Sequence, residues 1–191
     1  METVNKEMTP ERSLQLINET LESNRKSIIA GSGKFFLLWG GLLCLFSLMV
    51  FFPWRMTGNA SWNLLWFAMP LVGYPLAALM GRNTRIPQNF VSSLLGKIWA
   101  VFGVFSVSIS ALAIIAFPMN ISLVIIVLFG CAEAISGVAL KNWPLIIAGA
   151  VVGIAGACAA VKLASGPEQL LLFTGAAAVL ALTGVAIQIR K

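Results

Sequence analysis

Of the seven acidic residues in this chain, five lie within the first 22 positions, and only Glu133 and Glu168 follow. Aspartate and histidine are absent. A water-soluble domain spreads charge over its surface, typically about a quarter of its residues. Here only 10% of 191 residues are charged and 59% are hydrophobic, with a mean hydropathy of +0.91. The acid-poor region is instead a series of apolar runs at about 35–53, 62–80, 92–117, 121–140, 144–163 and 169–189. Each approximates the roughly 20 residues with which a helix crosses a hydrocarbon core. Backbone polar groups in lipid must be satisfied within the segment, so runs of this length predict helices; a β-barrel has shorter, alternating segments. The expected fold is all-α: a polytopic membrane protein with six transmembrane helices, 34–191, preceded by a cytoplasmic tail, 1–33, that carries an amphipathic helix. The first run is too long, and too far behind a charged tail, to read as a secretory leader.

Positive charge sets the expected orientation. With the N-terminus inside, Lys6, Arg12, Arg25, Lys26, Lys34, Arg82, Arg85, Lys97, Lys141, Arg190 and Lys191 fall on the cytoplasmic side. Only Arg55 and Lys162 fall on the other. That imbalance predicts both termini in the cytoplasm. The pI near 9.7 then reports topology and attraction to anionic headgroups in the bilayer. The bases are scattered over short loops, so no nucleic-acid partner is expected.

The tail has a helix start in Thr9-Pro10-Glu11, with a capping hydroxyl, a proline at the first helical position and an acid near the dipole's positive end. Leu14, Ile17, Leu21 and Ile28 recur at heptad-like spacing, with Asn24 in the slot between the last two. This face is the candidate docking surface, either for a cytoplasmic protein or for a second copy of the chain. The alternative is that it rests on the headgroups or on the protein's own loops. Gly31-Ser32-Gly33 is expected to end the tail helix as a hinge. The adjoining Gly-Ser-Gly-Lys lacks phosphate-loop spacing and no strand precedes it, so it predicts no nucleotide site.

The first span is expected to run to Pro53 and to be closed by Pro53-Trp54-Arg55. Tight turns are predicted at Phe117–Asn120, Lys141–Pro144 and Ser165–Glu168, with Gly166 as a helix cap; such connections leave no room for an extramembrane catalytic domain. Most of the six tryptophans fit an aromatic belt at the membrane interfaces. Gly149, Gly153 and Gly156 form a small-residue seam that lets another helix approach closely, either within the chain or from another protomer. Cys44, Cys131 and Cys158 lie inside predicted spans and read as inert thiols. Without histidine or a CxxC pair, neither a metal site nor a cofactor is expected.

Glu133 sits in the apolar run Phe129-Gly-Cys-Ala-Glu-Ala-Ile-Ser-Gly137, near the middle of the predicted fourth span. A charge at the centre of a membrane helix costs roughly 2.5–3.5 kcal/mol on insertion scales, so such residues turn inward. Glu133 could be a proton or cation site, or a neutral carboxyl making a structural hydrogen bond to a serine or a backbone carbonyl. No second membrane carboxylate accompanies it, which argues against paired-acid hydrolysis.

The stretches Met8–Ile17, Gly33–Gly40, Lys97–Gly103 and Lys141–Gly149 are similar to a family of small uncharacterised inner-membrane proteins of Bacteroides-type bacteria. Members of that family are often encoded beside a winged-helix transcription regulator. The resemblance implies a bacterial inner-membrane location and no assigned activity. With no catalytic constellation in sight, the chain is expected to be a non-enzymatic membrane protein acting through partners as a sensor or regulatory module. The alternative is a small transporter or channel using Glu133.

Overall fold

The computed structural model describes residues 10–83, 90–116, 119–163 and 166–189. Among them there is no strand. Helix α1 runs over Pro10–Thr57, α2 over Ala68–Asn83, α3 over Phe90–Ile115, α4 over Ile121–Ala139, α5 over Trp143–Lys162 and α6 over Leu170–Ile189. A 3₁₀ segment, Ala60–Phe67, leads into α2, and a 3₁₀ turn, Pro167–Gln169, leads into α6. Six helical stretches are long and apolar enough to cross a membrane, as expected, among them Gly31–Thr57 within α1 and Ala60–Met80.

The tail and the first span are one helix of 48 residues, without a break at Gly31-Ser32-Gly33. A glycine inside a helix costs about 1 kcal/mol relative to alanine. Tertiary packing offsets that cost, because Ser32 and Gly33 are buried and a Cβ on Gly184 of α6 would lie 2.8 Å from the Gly33 carbonyl oxygen. Thr9 lies outside the described residues, so the expected cap is not seen.

Pro53 does not close α1 either. The helix continues one more turn, in which Thr57 Oγ1 donates to the Pro53 carbonyl at 2.7 Å. It stops at Gly58, whose φ of +68° is the left-handed conformation that glycine adopts freely at a helix C-terminus.

Side-chain caps fix the later helices. Asn120 Oδ1 accepts from the Leu123 amide at 3.0 Å, while its Nδ2 donates to the Ala160 carbonyl in α5 at 3.0 Å. Asn142 Oδ1 accepts from the Leu145 amide at 3.2 Å. Helix α5 ends with Leu163 as its cap rather than Gly166. Buried Gln169 then supplies the missing donors, with Nε2 reaching the carbonyls of Ala160 at 3.4 Å and Leu163 at 3.3 Å. Each satisfies backbone groups that helix ends leave orphaned.

Two helix pairs form the centre, α1 with α6 and α4 with α5. Their backbones approach closely through small residues. A Cβ on Gly40 of α1 would lie 3.0 Å from the Ala177 oxygen of α6. Along their most apolar stretches, 39% of residues are buried in α1, α4 and the last span, against 6% in the second span and 0% in α3. Helices α2 and α3 are therefore peripheral, with most of their apolar side chains left for lipid.

An aromatic cluster holds α3 in place. Trp99 lies against Phe36 of α1, with ring centroids 6.3 Å apart, and against Phe129 of α4 at 5.6 Å. Trp39 packs onto Gly73 of α2 so closely that a Cβ there would lie 2.7 Å from the indole. The indole N–H groups of Trp39 and Trp99 are enclosed with no hydrogen-bond partner among the described residues. These two tryptophans belong to the packing between helices.

Candidate functional site

Glu133 faces the bundle interior and is 0% exposed. At about 1.5 Å rise per residue, it lies about 9 Å from the end of α4 at Ala139 and about 18 Å from its start at Ile121. It therefore sits in the third of the span nearer the α4–α5 turn rather than at the middle. The buried side of α4 around it comprises Phe129, Ala132, Ser136 and Gly137.

Neither carboxyl oxygen of Glu133 has a hydrogen-bond partner among the described residues. The serine three residues on along α4 is engaged elsewhere, since Ser136 Oγ donates to the Ala132 carbonyl at 2.7 Å. Buried Ser47 does the same within α1, donating to the Leu43 carbonyl at 2.7 Å. The expected structural hydrogen bond to a serine or a carbonyl is thus not formed. Ser106 Oγ is also buried with no hydrogen-bond partner among the described residues. An orphaned buried polar group is rare and calls for an explanation.

The glycine seam packs within the chain. Gly149 lies against α4 so tightly that a Cβ would come within 2.3 Å of the Ala134 nitrogen and 2.7 Å of the Gly130 oxygen. A Cβ on Gly130 would come within 2.4 Å of the Gly153 Cα, and one on Gly156 within 2.6 Å of Ile126 Cγ1. Gly153 has more room, with its nearest contact at 3.4 Å. This seam fixes the rotation of α4 and so points Glu133 inward.

The tail presents the second candidate surface. Leu14, Ile17 and Leu21 are 62%, 54% and 61% exposed; the side chain of Ile28 lies outside the described residues. Beside Leu14 on the same helix runs an open strip of surface carrying Glu11, Glu19 and Glu22. Glu19 accepts a hydrogen bond from Gln15 at 3.1 Å. A depression of about 480 Å³ is wholly apolar and lies between α1 and the 3₁₀ segment around Met49, Phe52 and Trp62. Neither surface is lined by Glu133.

One contact was not anticipated from the sequence. Arg55 at the end of α1 pairs with Glu168 before α6, joining the two central helices at the ends opposite the tail. The only clue was that each is a rare charge on the same side of the predicted membrane. Both side chains are largely exposed, 59% and 41%, so the pair contributes about 0.2–1 kcal/mol. Arg55→Ala is therefore expected to shift stability in detergent by less than about 1 kcal/mol. A larger loss would mean that the pair is shielded from water.

Among the described residues no three histidine, cysteine, aspartate or glutamate side chains gather to hold a metal ion. Cys44, Cys131 and Cys158 are free thiols, the last two exposed on the outside of the bundle. No protein-family model, no curated protein and no solved structure matches this chain.

Proposed function

We propose that this integral membrane protein acts through a partner, as a regulatory or sensing module whose contact surface is the tail of α1. The observation that carries this is the exposed apolar face of Leu14, Ile17 and Leu21 on a helix that runs without interruption into the centre of the bundle. A partner bound there would act on α1, and α1 is packed along α6. The orientation proposed is tail inside, on the charge balance of the loops. The resemblance to small membrane proteins of Bacteroides-type bacteria supports a bacterial inner membrane. A photo-reactive residue in place of Ile17 should cross-link a protein in native membranes, and one in place of Glu19 should not. The same adduct pattern at both positions would count against the tail as a specific surface.

The orphaned carboxyl of Glu133 favours a second reading, a small transporter or channel with a proton or cation site at that residue. In reconstituted liposomes this reading expects a proton or cation flux that Glu133→Gln abolishes. Equal flux with and without the carboxyl would remove it.

A further inference from the structure

We propose that the occupant of Glu133 is a proton, exchanged with water through the α4–α5 turn; this rests on the reading of Glu133 as a transport site and names what it takes and from which end. The carboxyl is wholly enclosed, and neither oxygen has a hydrogen-bond partner among the described residues. No cation offsets it. Lys97 on α3, Lys162 on α5 and Lys34 on α1 are all exposed, as are the thiols of Cys131 and Cys158, and α6 carries no charged residue. An ionised carboxylate buried without a counter-charge costs far more than the neutral acid. The closed bundle therefore holds Glu133 with its proton in place.

A metal cation suits the position less well. A hard cation gathers about six or more oxygens. On the buried side of α4 only Ser136 adds a side-chain oxygen to those of the carboxyl, and its hydroxyl is bonded to the Ala132 carbonyl. A proton needs one oxygen and no cavity.

The entrance follows from what lies on either side of Glu133 along α4. Toward the start of the helix, about 18 Å away, Phe129 meets Trp99 and Phe102 with ring centroids 5.6 and 5.7 Å apart. Ile126, 1% exposed, stands beyond that aromatic layer. Toward the other end the path is about 9 Å, and the buried side of the chain carries only Ser136, Gly137 and then Leu140. Leu145 of α5 folds back onto it, its carbonyl carbon 3.0 Å from where a Cβ on Gly137 would lie. Leu140 and Leu145 are both 0% exposed and close this shorter path. Opening the turn displaces these leucines and leaves the aromatic layer intact, so it is the smaller local disturbance.

The experiment records infrared spectra of the full chain in nanodiscs at neutral pH. A protonated carboxyl has a C=O stretch above the amide bands, highest where the acid has no hydrogen bond. The band moves down when heavy water exchanges the acid proton for a deuteron. It should be present in the native chain and absent from both Glu133→Gln and Glu133→Leu. Its shift in heavy water should be at least about tenfold faster in Leu140→Ala. Ile126 stands seven residues from Glu133 in one direction and Leu140 seven in the other, and both are buried aliphatic side chains. Ile126→Ala should therefore leave the rate within about twofold, which separates an entrance from a general loosening of the bundle. Equal acceleration by the two, or faster exchange in Ile126→Ala, overturns the entrance. A chain without the band that still carries a Glu133-dependent sodium or potassium flux in liposomes overturns the proton and leaves the transport reading with a metal cation. The band without any flux keeps the proton and removes transport. Neither band nor flux overturns both.

Discussion

Adding a single methyl group at Gly149 or Gly130 is expected to destabilise the bundle by about 2–3 kcal/mol or more, and Gly153→Ala by less than about 1 kcal/mol. All three glycines lie where α4 meets α5, and the difference comes from what a Cβ would strike. At Gly149 it would sit 2.3 Å from a backbone nitrogen of α4, and at Gly130 2.4 Å from backbone atoms of α5. Backbone cannot rotate out of the way as a side chain can, so the two helices must separate. At Gly153 the nearest atom is 3.4 Å away, an ordinary contact. Reversible unfolding in mixed micelles reads the three variants side by side. Similar losses at Gly149 and Gly153 would contradict the packing described for this hairpin. Since the same packing turns Glu133 inward, Gly149→Ala should also disturb whatever Glu133 does.

The second large effect concerns Glu133 itself. Glu133→Leu is expected to stabilise the protein by roughly 2 kcal/mol, because it removes a buried polar group with no hydrogen bond among the described residues and leaves a side chain of similar size. Glu133→Gln should not give that gain, since the amide keeps the unsatisfied polar atoms. A stabilising change at a residue that an acid-poor chain nonetheless contains is the signature of a group present for function rather than for folding. If Glu133→Leu instead destabilises by more than about 1 kcal/mol, the carboxyl has a structural partner. The transporter reading would then lose the observation that favours it.

The spans were legible because hydrocarbon imposes one rule on every segment, and the scarcity of acids made their limits visible. What stayed hidden depended on tertiary packing. Gly31-Ser32-Gly33 reads as a hinge by propensity, and only the contact of Gly33 with Gly184 across α1 and α6 explains why the helix continues. Pro53 reads as a stop, yet Thr57 and Gly58 carry the end of the helix one turn further. The seam at Gly149 and Gly156 could be seen in the spacing, but not that Ile126, Gly130 and Ala134 would fill it. That Trp39 would rest on a glycine of α2 and Trp99 on a phenylalanine of α4 was likewise not visible in the spacing. For Glu133, the sequence could place it in a span but could not tell whether Ser136 would turn toward it or back to Ala132. That choice decided between a satisfied carboxyl and an orphaned one.

The central claim is that the tail stands on the bundle as a rigid continuation of α1, so that what binds outside is felt within. A distance between spin labels placed at Gln15 and Met49, in a chain freed of its own cysteines and held in nanodiscs, tests it most directly. An unbroken helix at about 1.5 Å per residue predicts a single narrow distribution near about 50 Å. A tail folded at Gly31-Ser32-Gly33 to lie along the membrane would bring the labels to about 36 Å by the same rise, and that result would contradict the account.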